Sequence, residues 1–161
     1  MKFLMVMAKF LMVIAAIFCL AVQPAVADGD CKTIHAVQHD VLVTEGCPSP
    51  VGFCAAGTVR GDHGLQGTSF FSALAFDPIP HDPLARQVVP GISTYTTDRG
   101  ILTISDVSVL DSTRGTFAGT GRITAGTGRF AGASGDIFTF GRVLPDGVSF
   151  TTDVAGELCL P

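Results

Sequence analysis

The stretch ILTISDVSV, residues 101–109, decides the fold class, because apolar and polar side chains largely alternate along it. A period of two is typical of a β-strand that buries one of its faces. A second segment, VSFTTDV at residues 148–154, has the same period, and the pattern continues to Leu158. Both segments predict strands.

Turn signals lie between such segments, with DRG at residues 98–100, STRG at 112–115 and PDG at 145–147. The last should form a tight hairpin, because Asp-Gly supplies the positive φ angles that such turns require. Read together, the patterns predict about eight strands, near residues 32–44, 54–60, 67–76, 92–98, 101–109, 116–124, 135–143 and 148–159. Many short strands with glycine-rich turns indicate an all-β barrel or, alternatively, a β-sandwich.

One segment interrupts the strand pattern. Residues 77–90 contain four prolines. Because proline lacks the N–H that a β-ladder requires, we expect a loop from residue 77 to residue 91. A loop of this length either covers a site or is a plain surface excursion.

The N-terminus has the parts of a secretory signal. Lys2 and Lys9 precede an apolar run over residues 10–22, and QPAVA at residues 23–27 ends with small residues at the two positions that a signal peptidase reads. A transmembrane anchor is the alternative, but the proline and the A-x-A site favour cleavage. We therefore predict a signal peptide at 1–27, a single domain at 28–161, and a secreted or periplasmic protein of a bacterium with no membrane span after cleavage.

The charge of the mature chain excludes some partners. Without Lys2 and Lys9, eight basic residues face 14 acidic ones, which gives a formal charge of −6. One lysine remains, and the seven arginines are scattered singly. We expect no nucleic acid and no anionic membrane surface as a partner, because either would require a basic stripe.

Four cysteines follow the predicted cleavage site, and an even number in an exported domain indicates two disulfides. Zinc sites use closer pairs than these spacings supply. In a closed barrel the first strand lies beside both the second and the last. Cys31 would then meet Cys159, and Cys47 would meet Cys54, whereas a sandwich would favour another pairing.

The glycine-rich stretch GTGRFAGASG, residues 126–135, formally matches a dinucleotide fingerprint. Turn and strand patterns follow it instead of the helix that would bind the pyrophosphate, so we predict no nucleotide and no other cofactor. The stretch resembles a segment of the dirigent proteins and the allene oxide cyclase-like barrels. The resemblance implies an eight-stranded antiparallel barrel, with Phe130 plugging one end and the glycines allowing tight turns.

The plant members of those families act on lipid epoxides or phenoxy radicals. Their polar pocket residues cannot be placed on this chain, so no catalytic or ligand-binding residue is carried over. The resemblance therefore implies a fold and leaves the chemistry open.

Candidate chemical groups are few. His35 and His39 are four apart in a predicted strand, about 13 Å, which is too far for one metal ion. His63 and His81 fall in predicted turns or loops. In the last strand the alternation predicts Asp153 and Glu157 on the solvated face, opposite Phe150, Val154 and Leu158. We predict no metal site and no catalytic residue.

The fold then suggests the function. A closed barrel of about eight strands can enclose one small ligand. We expect an apolar interior supplied from Phe70, Leu74, Phe76, Ile104, Phe138 and Phe150. A small hydrophobic ligand is the leading expectation. The alternatives are an isomerase or cyclase that acts on an apolar substrate in the barrel, and a non-enzymatic surface or interaction domain. Enzyme activity is not favoured, and the oligomeric state stays open.

Overall fold

The computed structural model describes residues 30–82 and 85–161, which form nine strands and one short 3-10 helix. The predicted signal peptide, residues 1–27, lies outside the described residues. The strands are β1 (Asp30–Val43), β2 (Cys54–Gly61), β3 (Gln66–Ala73), β4 (Asp77–Pro78), β5 (Arg86–Thr97), β6 (Gly100–Asp111), β7 (Thr116–Gly126), β8 (Asp136–Val143) and β9 (Ser149–Leu160). The 3-10 helix η1 (Gly128–Phe130) lies between β7 and β8.

Eight of the strands close into an antiparallel barrel, which confirms the predicted fold class. Each long strand pairs with the next along the chain, β9 pairs with β1, and β3 pairs directly with β5. The β3–β5 register runs from Gly67 opposite Thr97 to Ala73 opposite Gly91. A sandwich would leave its two sheets unpaired with each other at their edges, so this continuous ring of pairings excludes it.

The proline segment differs from the predicted loop. β5 already begins at Arg86, and β4 pairs with its first residues through Asp77 opposite Val88. Pro90 is part of the strand and lies opposite Val107 of β6. Its carbonyl accepts a hydrogen bond from the Leu74 backbone N–H at 2.8 Å. The proline nitrogen therefore faces the side on which β3 has just ended, and its missing N–H costs no ladder hydrogen bond.

One end of the barrel is filled by side chains. We call it the closed end; β1 begins and β9 finishes there. Phe130 of η1 and Leu65 of the β2–β3 turn are fully buried in it. Gly128 opens η1 with φ +59, and a Cβ at this position would overlap the Arg99 carbonyl oxygen of the neighbouring turn. The glycine-rich stretch thus folds the chain tightly enough to insert Phe130 into the core.

Two disulfides stabilise the barrel, one between residues far apart in the sequence and one between residues close together in it. Cys31 and Cys159 lie opposite each other in the β1–β9 register and are bonded at the closed end. Cys47 and Cys54 are bonded across the β1–β2 loop with a Cα–Cα distance of 5.6 Å. These are the same two pairs that the barrel argument predicts from the sequence.

Replacing Phe130 with Ala should lower the free energy of unfolding by about 3–5 kcal/mol, because a fully buried ring leaves a cavity. The matched control is Phe138→Ala on the outer face of β8, where the ring is 59% exposed and the loss should stay below about 1 kcal/mol. Urea unfolding of both variants measures the difference. Equal losses in the two variants would contradict the plugged end.

Removing the long disulfide with Cys31→Ser and Cys159→Ser should lower the free energy of unfolding by roughly 4–5 kcal/mol on the loop-entropy model, because the bond closes a segment of 128 residues. Peptide mapping without reduction should recover Cys31 linked to Cys159. A peptide linking Cys31 to Cys47 or Cys54 would be incompatible with the barrel register.

Candidate functional site

A cavity of about 240 Å³ occupies the half of the barrel opposite Phe130. We call this side the open end; β1 finishes and β9 begins there. Five phenylalanines line the mouth of the cavity: Phe53, Phe71, Phe76, Phe117 and Phe150. Phe53 is their centre, with ring centroids 5.3 Å from Phe76 and 6.2 Å from both Phe71 and Phe150. Such edge contacts give the mouth an apolar wall of defined shape.

The β1–β2 loop holds Phe53 in this position. The Ser49 hydroxyl donates to the Ala73 carbonyl at 2.6 Å and accepts a hydrogen bond from the Phe53 backbone N–H at 3.2 Å. Cys54, bonded to Cys47, follows directly. The loop is therefore tied to the end of β3 and to itself, and both ties fix the ring at the mouth.

Inward-facing glycines provide room for these rings. A Cβ at Gly91 of β5 would overlap the ring of Phe71, and a Cβ at Gly141 of β8 would overlap the ring of Phe117. Each ring lies across a neighbouring strand and leaves the centre of the barrel free. Bulkier residues at the two glycine positions would push the rings toward the cavity.

The floor of the cavity is polar because Gln38 and Asp40 line it, and two buried hydroxyl groups that do not line the cavity form hydrogen bonds with them. Tyr95, 1% exposed, donates a hydrogen bond to Gln38 Oε1 at 2.9 Å. Gln38 Nε2 in turn donates to Asp40 Oδ2 at 3.2 Å, and the Ser69 hydroxyl donates to Asp40 Oδ1. This network satisfies Asp40, which would otherwise be a costly buried carboxyl group.

Asp106 of β6 is the second acid of the floor, and it accepts fewer hydrogen bonds than Asp40. The Ser93 hydroxyl donates to Asp106 Oδ2 at 2.5 Å. Asp106 Oδ1 is buried, and within residues 30–82 and 85–161 it has no hydrogen-bond partner. An unpaired buried carboxyl oxygen is unfavourable, and a functional role is one explanation for its presence.

Burial raises the pKa values of three groups, namely Asp106, Asp40 and Tyr95. It raises the pKa of Asp106 to about 6, against the opposing effect of the Ser93 hydrogen bond. It also raises the pKa of Asp40, while the hydrogen bond from Ser69 and the nearby His39 lower it. The pKa of Tyr95 rises above its usual value through burial and through the charges of Asp106 and Asp40. Near neutral pH, two acids with raised pKa values line the cavity, and a neutral phenol lies beside them.

The histidines of β1 and the acids of β9 that the sequence analysis considered as chemical groups lie outside the cavity. His35 and His39 are exposed on the outer face of β1, and Asp153 and Glu157 are exposed on β9, as the alternation predicts. In the described part of the chain, one group of potential metal ligands comes close together. Two of its members, Cys31 and Cys159, are bonded to each other, so the group offers no free thiolate.

The expected apolar interior is only partly correct. Ile104 is buried in the core, and Phe76 and Phe150 line the cavity. Phe138 and Leu74 are wrong, since they are 59% and 46% exposed. Phe70 lies between the inward-facing Ser69 and Phe71, and so belongs to the outer face.

Sequence reasoning missed the polar floor. A signal was present, because Gln38 and Asp40 are in phase with Ile34 and Ala36, and all four are buried. Asp106 is in phase with Ile104 in the same way. Once the apolar residues of a strand are assigned to the interior, the period of two assigns the polar residues of the same phase to it as well.

No protein-family model matches the chain, and a search of curated proteins finds no similar sequence. Within the described ranges, 30–82 and 85–161, no helix is long and apolar enough to cross a membrane.

Replacing Asp106 with Asn should change how stability depends on pH. The raised pKa means that the folded state holds its proton up to about pH 6, whereas the unfolded chain releases it near pH 4. Raising the pH through this window therefore destabilises the wild type. The free energy of unfolding of the variant minus that of the wild type should grow by about 2–3 kcal/mol between pH 4 and pH 7.

Chemical unfolding at several pH values measures this difference, and Asp153→Asn on the outer face is the matched control. Asp111 and Asp146, whose pKa values are lowered, act on stability below this window. A difference between Asp106→Asn and the wild type that stays constant with pH would contradict the assignment.

Proposed function

We propose that this protein binds a small hydrophobic ligand in the open half of its barrel. The observation that carries the proposal is the cavity of about 240 Å³ with five phenylalanines at its mouth. Small-molecule sites commonly have volumes of about 300–1,000 Å³, so this cavity suits a ligand below the usual drug size. Apolar surface that the ligand buries against these rings supplies the binding free energy.

The packing at the two ends of the barrel supports entry of the ligand from the open end. Phe130 and Leu65 fill the closed end, and the polar groups of Gln38, Asp40 and Asp106 lie between that packing and the cavity. A ligand entering through the phenylalanines would place its apolar body at the mouth and its far end on the polar floor. The floor then sets the orientation of the ligand.

An isomerase or cyclase is the second candidate function. Asp106 favours it, because an acid with a pKa of about 6 can both hold and release a proton near neutral pH. Asp106 would be the group that transfers the proton, and Ser93 would position it through the 2.5 Å hydrogen bond. The third candidate, an interaction domain, rests on Phe138 and Phe140, which are 59% and 61% exposed on the outer face.

Family membership and export stay proposals as well. The eight-stranded antiparallel barrel and the buried Phe130 are compatible with an allene oxide cyclase or dirigent-like protein. The two disulfides are compatible with secretion or a periplasmic location. On this proposal the mature protein begins at Asp28.

Binding can be tested with N-phenyl-1-naphthylamine, a neutral dye that becomes fluorescent in apolar surroundings. We expect saturable binding with one site per chain. Ser108→Phe places a ring in the cavity and should weaken binding by at least about tenfold, the effect of losing roughly 1.4 kcal/mol. The matched control is Ser105→Phe on the exposed face of the same strand, which should leave binding unchanged.

Phe138→Ala distinguishes binding in the cavity from binding to Phe138 and Phe140 on the outer face. If the dye binds inside the barrel, this variant retains wild-type affinity. Loss of binding in Phe138→Ala together with normal binding in Ser108→Phe would contradict the proposed site. Thermal unfolding of each variant verifies that it is folded.

A further inference from the structure

The charges around the cavity have one sign. Two carboxyl groups, Asp40 and Asp106, line it, and the described residues that line it include no Lys, Arg or His. The arginines of the neighbouring strands lie on the outer face, where Arg60, Arg122 and Arg142 are exposed. Among the residues that the structure describes, the interior therefore offers no positive side chain to bind an acidic ligand.

The hydroxyl groups at the floor all donate their hydrogen bonds to acceptors of the protein itself. The hydroxyl of Tyr95 donates to Gln38, that of Ser69 to Asp40 and that of Ser93 to Asp106. Within the described chain, Asp106 Oδ1 is left as a buried acceptor without a donor. A ligand that brings a donor to the carboxyl group of Asp106, which lines the cavity, would add a partner that the described chain does not supply.

We propose that the ligand is an apolar amine, whose protonated nitrogen binds Asp106 while its hydrocarbon part packs against the phenylalanines at the mouth. The inference rests on the proposed binding function and adds the chemical class of the ligand. A charge-assisted hydrogen bond is stronger than a neutral one, so an ammonium group should bind better than a hydroxyl group. A carboxylate should bind worst, because it would meet two acids in surroundings of low polarity.

The pH dependence follows from the groups that face Asp106. Tyr95 and Ser93 face it from β5, Asp40 faces the same cavity from β1, and β7 contributes Gly121, which carries no charge. Burial raises the pKa of Asp106 to about 6, and that of Asp40 is raised as well. An alkylammonium ion stays protonated well above these values. Amine affinity should therefore rise as the pH rises from 5 to 8.

The test uses three probes that differ only at one end: 4-phenylbutylamine, 4-phenylbutan-1-ol and 4-phenylbutanoate. Titration calorimetry at pH 8 measures their affinities. We expect the amine to bind at least about tenfold more tightly than the alcohol, and the alcohol at least about tenfold more tightly than the carboxylate. Equal or tighter binding of the carboxylate would overturn the proposal.

Variants assign the effect to one residue. Asp106→Asn should bring the amine to within about threefold of the alcohol, since a neutral amide cannot supply the charge. Asp40→Asn should keep most of the amine preference. A preference that survives in Asp106→Asn, or that disappears only in Asp40→Asn, would overturn the assignment to Asp106. Circular dichroism of each variant verifies the fold.

The outcomes separate this proposal from the one on which it rests. If the dye and the alcohol bind in the cavity but the amine has no advantage, the ligand class is wrong and the binding function stands. If neither the dye nor any of the three probes binds, both proposals fail.

Discussion

The direct pairing of β3 with β5 is the constraint on which the rest of the structure depends. It joins the two ends of an eight-stranded sheet, so that none of the eight long strands described keeps an unpaired edge, and each of them has one inner and one outer face. With the faces fixed, each inward side chain has to pack or to find a hydrogen-bond partner. The polar floor, the aromatic mouth and the plugged end all follow from this requirement.

The barrel meets the requirement differently in its two halves. At the closed end, Phe130 and Leu65 complete an apolar core that leaves little room. In the open half, inward glycines let the rings of Phe71 and Phe117 lie across neighbouring strands, and space remains at the centre. Polar groups lie between the two halves, where Tyr95, Gln38, Ser69 and Asp40 satisfy one another. Asp106 is the exception, since one of its oxygens has no partner in the described chain.

Much of the fold could be predicted from local pattern, and most of the site could not. The eight long strands lie close to the predicted ranges, because turn residues and period-two alternation depend on the nearby sequence alone. The predicted start of β5 was wrong. Whether Pro90 removes a ladder hydrogen bond depends on where β3 ends, and β3 ends one residue before the position that would face Pro90. The interior position predicted for Phe138 is wrong, because β8 carries apolar side chains on its outer face as well.

By itself, the sequence determined the all-β class, the approximate strand count and the positions of the turns, since each is set by residues close together in the chain. It also limited the cysteine pairing to a few choices. Only the tertiary structure decided which face of each strand points inward. In β6, Val107 and Val109 are exposed, while Asp106 lines the cavity in phase with the buried Ile104. Alternation divides the residues of a strand between two faces, but it does not show which face is the interior when both carry apolar residues. That choice depends on the side chains that meet across the barrel, which come from strands far apart in sequence.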